Sequence, residues 1–124
     1  MLTRVNRLTS GAAFARAIRH GRRAGSRTLV LHLTVPPPDA GEPDAAQVGF
    51  VVSKAVGSAV TRNLVKRRLR HLARERLASL PGRAVLVVRA LPTAAEASYA
   101  DLAADFDSGL RRVVAGRRDA KAAR

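Results

Sequence analysis

The sequence contains no cysteine and no tryptophan, only 3% aromatic residues, and 9 acidic residues against 23 lysines and arginines. Without cysteine there is no disulfide framework, no thiolate nucleophile and no Cys-based zinc or iron–sulfur site, a composition suited to a reducing compartment. No segment approaches the roughly 18 consecutive apolar residues of a membrane span. The opening Met1-Leu2-Thr3-Arg4-Val5-Asn6-Arg7 has no apolar stretch behind its charges. Membrane insertion and export are therefore not expected, and the expected location is the cytoplasm. A nucleotide-type phosphate loop is also missing: Gly57 is isolated, and no Lys-Ser or Lys-Thr pair follows it.

What is present is positive charge. A chain of 124 residues with a formal net charge of +14 reads as one small domain whose surface selects polyanions, nucleic acid first among them. The hydrophobic fraction is 47%, but 24 residues are alanine, which bury little area each, so the core is modest and a large catalytic cleft is not expected. Every charged residue before Asp39 is arginine, which makes the N-terminal third a cationic surface.

Periodicity gives the elements. Ser10 N-caps a short helix that ends near Gly21, with Phe14 and Ile18 an i,i+4 pair on one face. Residues 28–35 alternate Leu29, Leu31, Leu33 and Val35 with Thr28, Val30, His32 and Thr34, a strand pattern. The run from Pro36 to Asp44 has the composition of a solvated loop. Residues 47–53 alternate again, giving a second strand expected to pair with the first as an antiparallel hairpin. A long helix opens at Ser58 and runs to about Leu80, where Pro81-Gly82 stops it. Residues 84–91 read as a buried strand, which the helical crossover makes a parallel neighbour of the second strand. Tyr99, Leu102, Phe106, Leu110 and Val113 form the core stripe of a last helix that ends near Gly116. The expected organisation is a single domain over residues 1–116 and a mobile basic tail over 117–124. The fold class is an α/β (α+β) two-layer sandwich around a small mixed sheet of about four strands.

The long helix carries the functional signal. At 100° per residue Val65, Leu69, Leu72 and Leu80 fall on one side, while Asn63, Lys66, Arg67, Arg70 and Arg74 cluster within about a third of the circumference on an adjacent side. Like charges at these spacings weaken a helix unless an anion neutralises them, and a phosphate backbone does so. Only Glu75 dilutes the run.

Protein-based catalysis has little to work with. His20, His32 and His71 lie on three different elements, and His71 with Glu75 reads as an exposed helix contact. Asp101 and Asp105 read as solvating the outer side of the last helix. No catalytic or metal-ligating residue is assigned to this chain. A structural, ribosomal-type RNA binder would use the same basic helix, and composition alone does not separate it from other RNA-binding proteins. A duplex-DNA regulator needs base-reading side chains on a recognition helix, which are not evident.

The residues from Val48 to Arg70, Gly-Phe-Val-Val-Ser-Lys followed by Arg62-Asn63-Leu64-Val65-Lys66-Arg67, resemble the signature of the bacterial ribonuclease P protein family. Asn6-Arg7-Leu8 and residues 14–21 are similar to its first helix region, and Val85 to Arg89 to its last strand. The resemblance implies a subunit of a ribonucleoprotein endonuclease that removes the 5′ leader from precursor tRNA, with Mg2+ held mainly by a catalytic RNA. It implies a left-handed β-α-β crossover, no membrane partner and no small-molecule substrate. Arg62, Asn63, Lys66, Arg67, Arg68, Arg70 and Arg74 are then expected to contact the RNA subunit. A second site, on the opposite side of the sheet, is expected to hold the single-stranded leader through Phe14, Ile18, His32 and Phe50, with Val52, Ser53, Lys54 and Arg89. On spacing alone Phe14, Ile18, Phe50 and Val52 equally suit a core. Ile18 stands where the family commonly has an aromatic, and Ala55 replaces a frequent second cation after Lys54.

Overall fold

The computed structural model describes residues 3–36 and 45–122, with residues 116–122 described by their backbone alone. Ser10 accepts a hydrogen bond from the Ala13 amide and starts helix α1, Gly11–His20. Strands β1 (Arg22–Gly25), β2 (Leu29–Thr34) and β3 (Gln47–Val51) follow. Ser58 caps helix α2, Ala59–Arg76, through the Thr61 amide, and a 3-10 turn from Leu77 to Ser79 ends it before Pro81. Strand β4 (Val85–Ala90) and helix α3 (Tyr99–Ala122) complete the chain.

The sheet order is β1-β2-β4-β3. β4 lies between an antiparallel partner, β2, and a parallel one, β3. The parallel neighbour is as expected, but the β2–β3 hairpin is not formed. β4 is apolar on both faces, with Val85, Leu86, Val87 and Val88 all buried, so it takes the interior position and separates the other two. β1 has no counterpart among the strands placed by periodicity. Its Arg-Arg-Ala-Gly sequence buries only Ala24, and pairing with β2 alone makes it a strand. α3 continues past Gly116 to Ala122, because an isolated glycine weakens a helix by only about 1 kcal/mol without removing a hydrogen bond. The loop expected between Pro36 and Asp44 lies, from residue 37 on, outside the described residues, as do the last two positions of the expected tail.

The larger core lies between one sheet face and the layer of α2 and α3. Leu29, Leu31, Leu33, Leu86 and Val88 meet Val65, Leu69 and Leu72 of α2 and Leu102, Phe106 and Val113 of α3. Leu80, expected on the helix, lies beyond it and packs half-buried against this core. Tyr99, expected in the core stripe, is 38% exposed, with its ring 6.0 Å from that of His71. On the other face α1 packs a smaller cluster of Leu8, Ala13, Ala17, Val85 and Val87.

Two carboxylates of α3 have structural partners. Asp105, expected to face solvent, accepts hydrogen bonds from the Thr28 amide at 3.2 Å and the Thr28 hydroxyl at 2.6 Å, while Thr28 is fully buried. Asp107 takes the Arg76 guanidinium in a two-point contact, with Nη2 to Oδ2 at 3.1 Å, and Arg76 lies over the Phe106 ring. This contact holds the Asp107 carboxyl below the usual carboxylate range. Asp105→Ala is expected to leave two buried Thr28 donors unpaired and to lower stability by about 1–3 kcal/mol, read from the urea unfolding midpoint. No change would mean that water reaches Thr28.

Candidate nucleic-acid interfaces

The first interface is the outer side of α2. Val65, Leu69, Leu72 and Ala73 are buried, which leaves Asn63, Arg67, Arg70 and Arg74 exposed and Lys66 at the border. Among the described residues none of Lys66, Arg67, Arg70 and Arg74 has an anionic partner. Glu75 is turned to His71, 3.3 Å away, at the far flank of this side. The two outlying cations differ from the rest. Arg68 points toward the start of α3 and donates to the Ala97 carbonyl at 3.3 Å. Arg62, on the opposite flank, is half-buried, and its Nε has no partner. The structure thus brings five of the seven expected residues onto one side and places Arg62 and Arg68 at its margins.

The second interface is the sheet face on which α1 lies. Residues paired across strands share a face, so the register puts Gly49, Val87, His32 and Arg23 in one row. Val51, Arg89 and Val30 form the next. α1 approaches closely through Ala13 and Ala17. A Cβ on Gly49 would collide with Cζ of Phe14, so the glycine is what lets the Phe14 ring lie on β3. One turn after Phe14, on the same side of α1, Ile18 is 40% exposed. Ser53 and Lys54 are exposed just past the end of β3. Phe14 and Ile18 therefore line one side of an open surface, and Val51 and Arg89 the other.

Phe50 and Val52 do not join this surface. They alternate with Gly49 and Val51, so their side chains pack into the larger core on the far face. The residues that take their place, Gly49, Val51 and Arg23, escaped the sequence reading. Strand parity holds the signal for the first two, but it assigns a face only once the register with Arg89 is known.

His32 is 2% exposed, and neither ring nitrogen has a hydrogen-bond partner. Burial, and then the nearby positive charges of Arg89 and Arg23, push its pKa below the ordinary 6.5. The folded protein therefore holds a neutral imidazole. As pH falls the unfolded chain takes up the proton first. The stability tied to His32 is complete above pH 6.5 and is lost as pH falls through the folded-state value. His32→Leu is expected to remove that part of the acid sensitivity, read as a flatter pH dependence of the urea midpoint. An unchanged dependence would mean that His32 is hydrated in solution.

No group of three His, Asp or Glu among the described residues is placed to hold a metal ion. Asp105 and Asp107 are engaged with Thr28 and Arg76, so the described side chains of α3 do not offer a divalent ion a free set of carboxylates. No helix among the described residues is long and apolar enough to cross a membrane.

Comparison with known proteins gives a consistent answer. The sequence model of the family described as Ribonuclease P matches residues 2–114. The ribonuclease P protein component of a Nocardioides species is 65% identical over 91% of this chain and 95% of its own length. That of Streptomyces griseus is 52% identical over 94% of this chain and 98% of its own. The fold matches the Staphylococcus aureus RNase P protein with a TM-score of 0.73, covering 86% of this chain and 93% of that one at 24% identity. The basic helix, the α1-covered sheet and the match along nearly all of its length make this chain a member of the ribonuclease P protein family.

Proposed function

We propose that the two interfaces divide the work of a ribonuclease P subunit between two RNAs. Membership of the family makes the chain the protein part of an endoribonuclease that matures tRNA. In our reading the exposed side of α2 binds the catalytic RNA subunit, and the α1-covered sheet face holds the single-stranded 5′ leader of precursor tRNA. The Mg2+ that cleavage requires is held on the RNA, and the enzyme works in the cytoplasm. The observation that carries this reading is the separation of the two surfaces. One is a rod of unneutralised cations suited to phosphates, and the other a shallow face with an aromatic edge and cationic flanks suited to an unpaired strand.

The chemistry follows from these placements. α2 supplies charge that replaces counterions on the RNA subunit, so assembly is driven largely by counterion release and weakens with salt. The α1 face adds affinity for a substrate that carries a leader and none for the mature product, which favours turnover. Phe14 offers a ring face to a base, while Lys54 and Arg89 reach phosphates. With Ile18 in place of a second aromatic, phosphate contacts carry a larger share of leader binding.

The direct test is single-turnover cleavage of a precursor tRNA at low Mg2+, with a bacterial ribonuclease P RNA alone, with the RNA plus this protein, and with the protein alone. Stimulation of the RNA with no activity from the protein alone is expected. Tight RNA binding without stimulation would indicate a purely structural RNA binder. Replacing Arg67 and Arg74, which lie outside the Phe14 side of the sheet, with alanine is expected to weaken assembly and to flatten the slope of log affinity against log salt by about 0.7–0.9 for each phosphate that is no longer neutralised. Phe14→Ala is expected to leave assembly intact and to weaken leader-bearing substrate by roughly 1–3 kcal/mol. Equal damage to both functions by both changes would contradict the division.

A further inference from the structure

The two interfaces meet at the outer edge of β3, which is paired only at its beginning. The Gln47 amide donates to the Ala84 carbonyl on the β4 side. By alternation the backbone groups of Gly49 and Val51 face β4, and those of Val48 and Phe50 face outward. The Val48 carbonyl accepts from the Leu8 amide at 3.0 Å. The next outward pair, the N–H and C=O of Phe50, has no partner among the described residues.

This open stretch of edge lies in a groove of about 360 Å³. Phe14 reaches it from the α1 side and Lys66 and Arg70 from α2, with Arg7 on the N-terminal segment. No acidic residue lines it, and none of the three cations has an anionic partner among the described residues. Three unpaired cations, an outward amide and the half-buried Phe14 ring match a single nucleotide unit, with a phosphate for the donors and a base for the ring. The volume admits one strand and not a duplex. A second copy of this chain pairing edge to edge would bring two net charges of +14 together over a single outward residue.

We infer that the leader strand, after crossing the sheet between Phe14 and Arg89, turns over the free edge of β3 and places a nucleotide in this groove. Its phosphate is held by Arg7 and the Phe50 amide, with Lys66 and Arg70 behind. The inference rests on the reading that the α1 face binds the leader. It adds Arg7 as a binding residue and gives Lys66 and Arg70 a second role. Standing between the RNA subunit on α2 and the leader in the groove, they shield two polyanions from each other.

The test uses the assembled holoenzyme and precursor tRNAs with leaders of increasing length. The readout is the ratio of affinities for long and short leaders, for the wild type, Arg7→Ala and Arg7→Lys. In the wild type a step in affinity is expected once the leader is long enough to reach the groove. Arg7→Ala is expected to shrink that step about tenfold, and Arg7→Lys to keep most of it. Arg111→Ala, on α3 away from β3, serves as the control and is expected to leave the ratio unchanged. A step that survives Arg7→Ala, or an equal loss for short and long leaders, would overturn the groove assignment while leaving Phe14-dependent leader binding in place. If affinity ignores both the leader and Phe14, the reading beneath it fails as well.

Discussion

The parallel pairing of β3 with β4 is the constraint on which the rest of the molecule depends. Two parallel neighbours cannot be joined by a tight turn, so the chain leaving Val51 must cross back over the sheet before it re-enters at Val85, and α2 is that crossover. β4 accepts the position because it is apolar on both faces and paired on both edges. Once it is there, α2 is held against the sheet by Val65, Leu69, Leu72 and Ala73 whatever its other side contains. A helix with so many like charges at i,i+3 and i,i+4 loses about 0.2–0.5 kcal/mol for each unfavourable pair. Tertiary packing and the Ser58 cap offset that loss, and the cations stand ready for an anionic partner.

The same constraint leaves β3 at an edge. An exposed strand edge invites pairing with another chain. Here it is blunted first by the N-terminal segment through Leu8, then by cationic side chains around Phe50. On the α1 face the layer is thin, because Ala13, Ala17 and Gly49 allow a close approach but bury little area. That thinness keeps Phe14 and Ile18 near the surface, and it puts an uncharged His32 between two arginines. The larger core supplies most of the buried apolar surface, so the α1 face is free to be shaped for binding.

Much of this was legible in the sequence, for identifiable reasons. Ser10 and Ser58 as caps, α1, α2 and the parallel relation of β3 and β4 follow from local chemistry and crossover length. The basic side of α2 follows from spacing alone. Long-range pairing was harder to see. The central place of β4 excludes the β2–β3 hairpin, yet nothing local to Leu29–Thr34 or Gln47–Val51 says so. β1 has one buried side chain and no apolar rhythm. Phe50 and Val52 were expected on the leader face from the family resemblance, although their spacing equally suits a core, and strand parity turns them to the core side. Arg68 and Asp105 are polar residues on helix exteriors whose partners, Ala97 and Thr28, are distant in sequence.

The absence of cysteine makes one experiment especially clean, since a single introduced thiol is the only attachment point for a chemical probe. Ile18→Cys and Arg74→Cys, each carrying a tethered hydroxyl-radical source and assembled with the RNA subunit and a precursor tRNA, report on the two faces separately. Cleavage of the leader from position 18 and of the RNA subunit from position 74 is the expected outcome. Cleavage of the same RNA segment from both positions would contradict the separation of the two interfaces by the sheet.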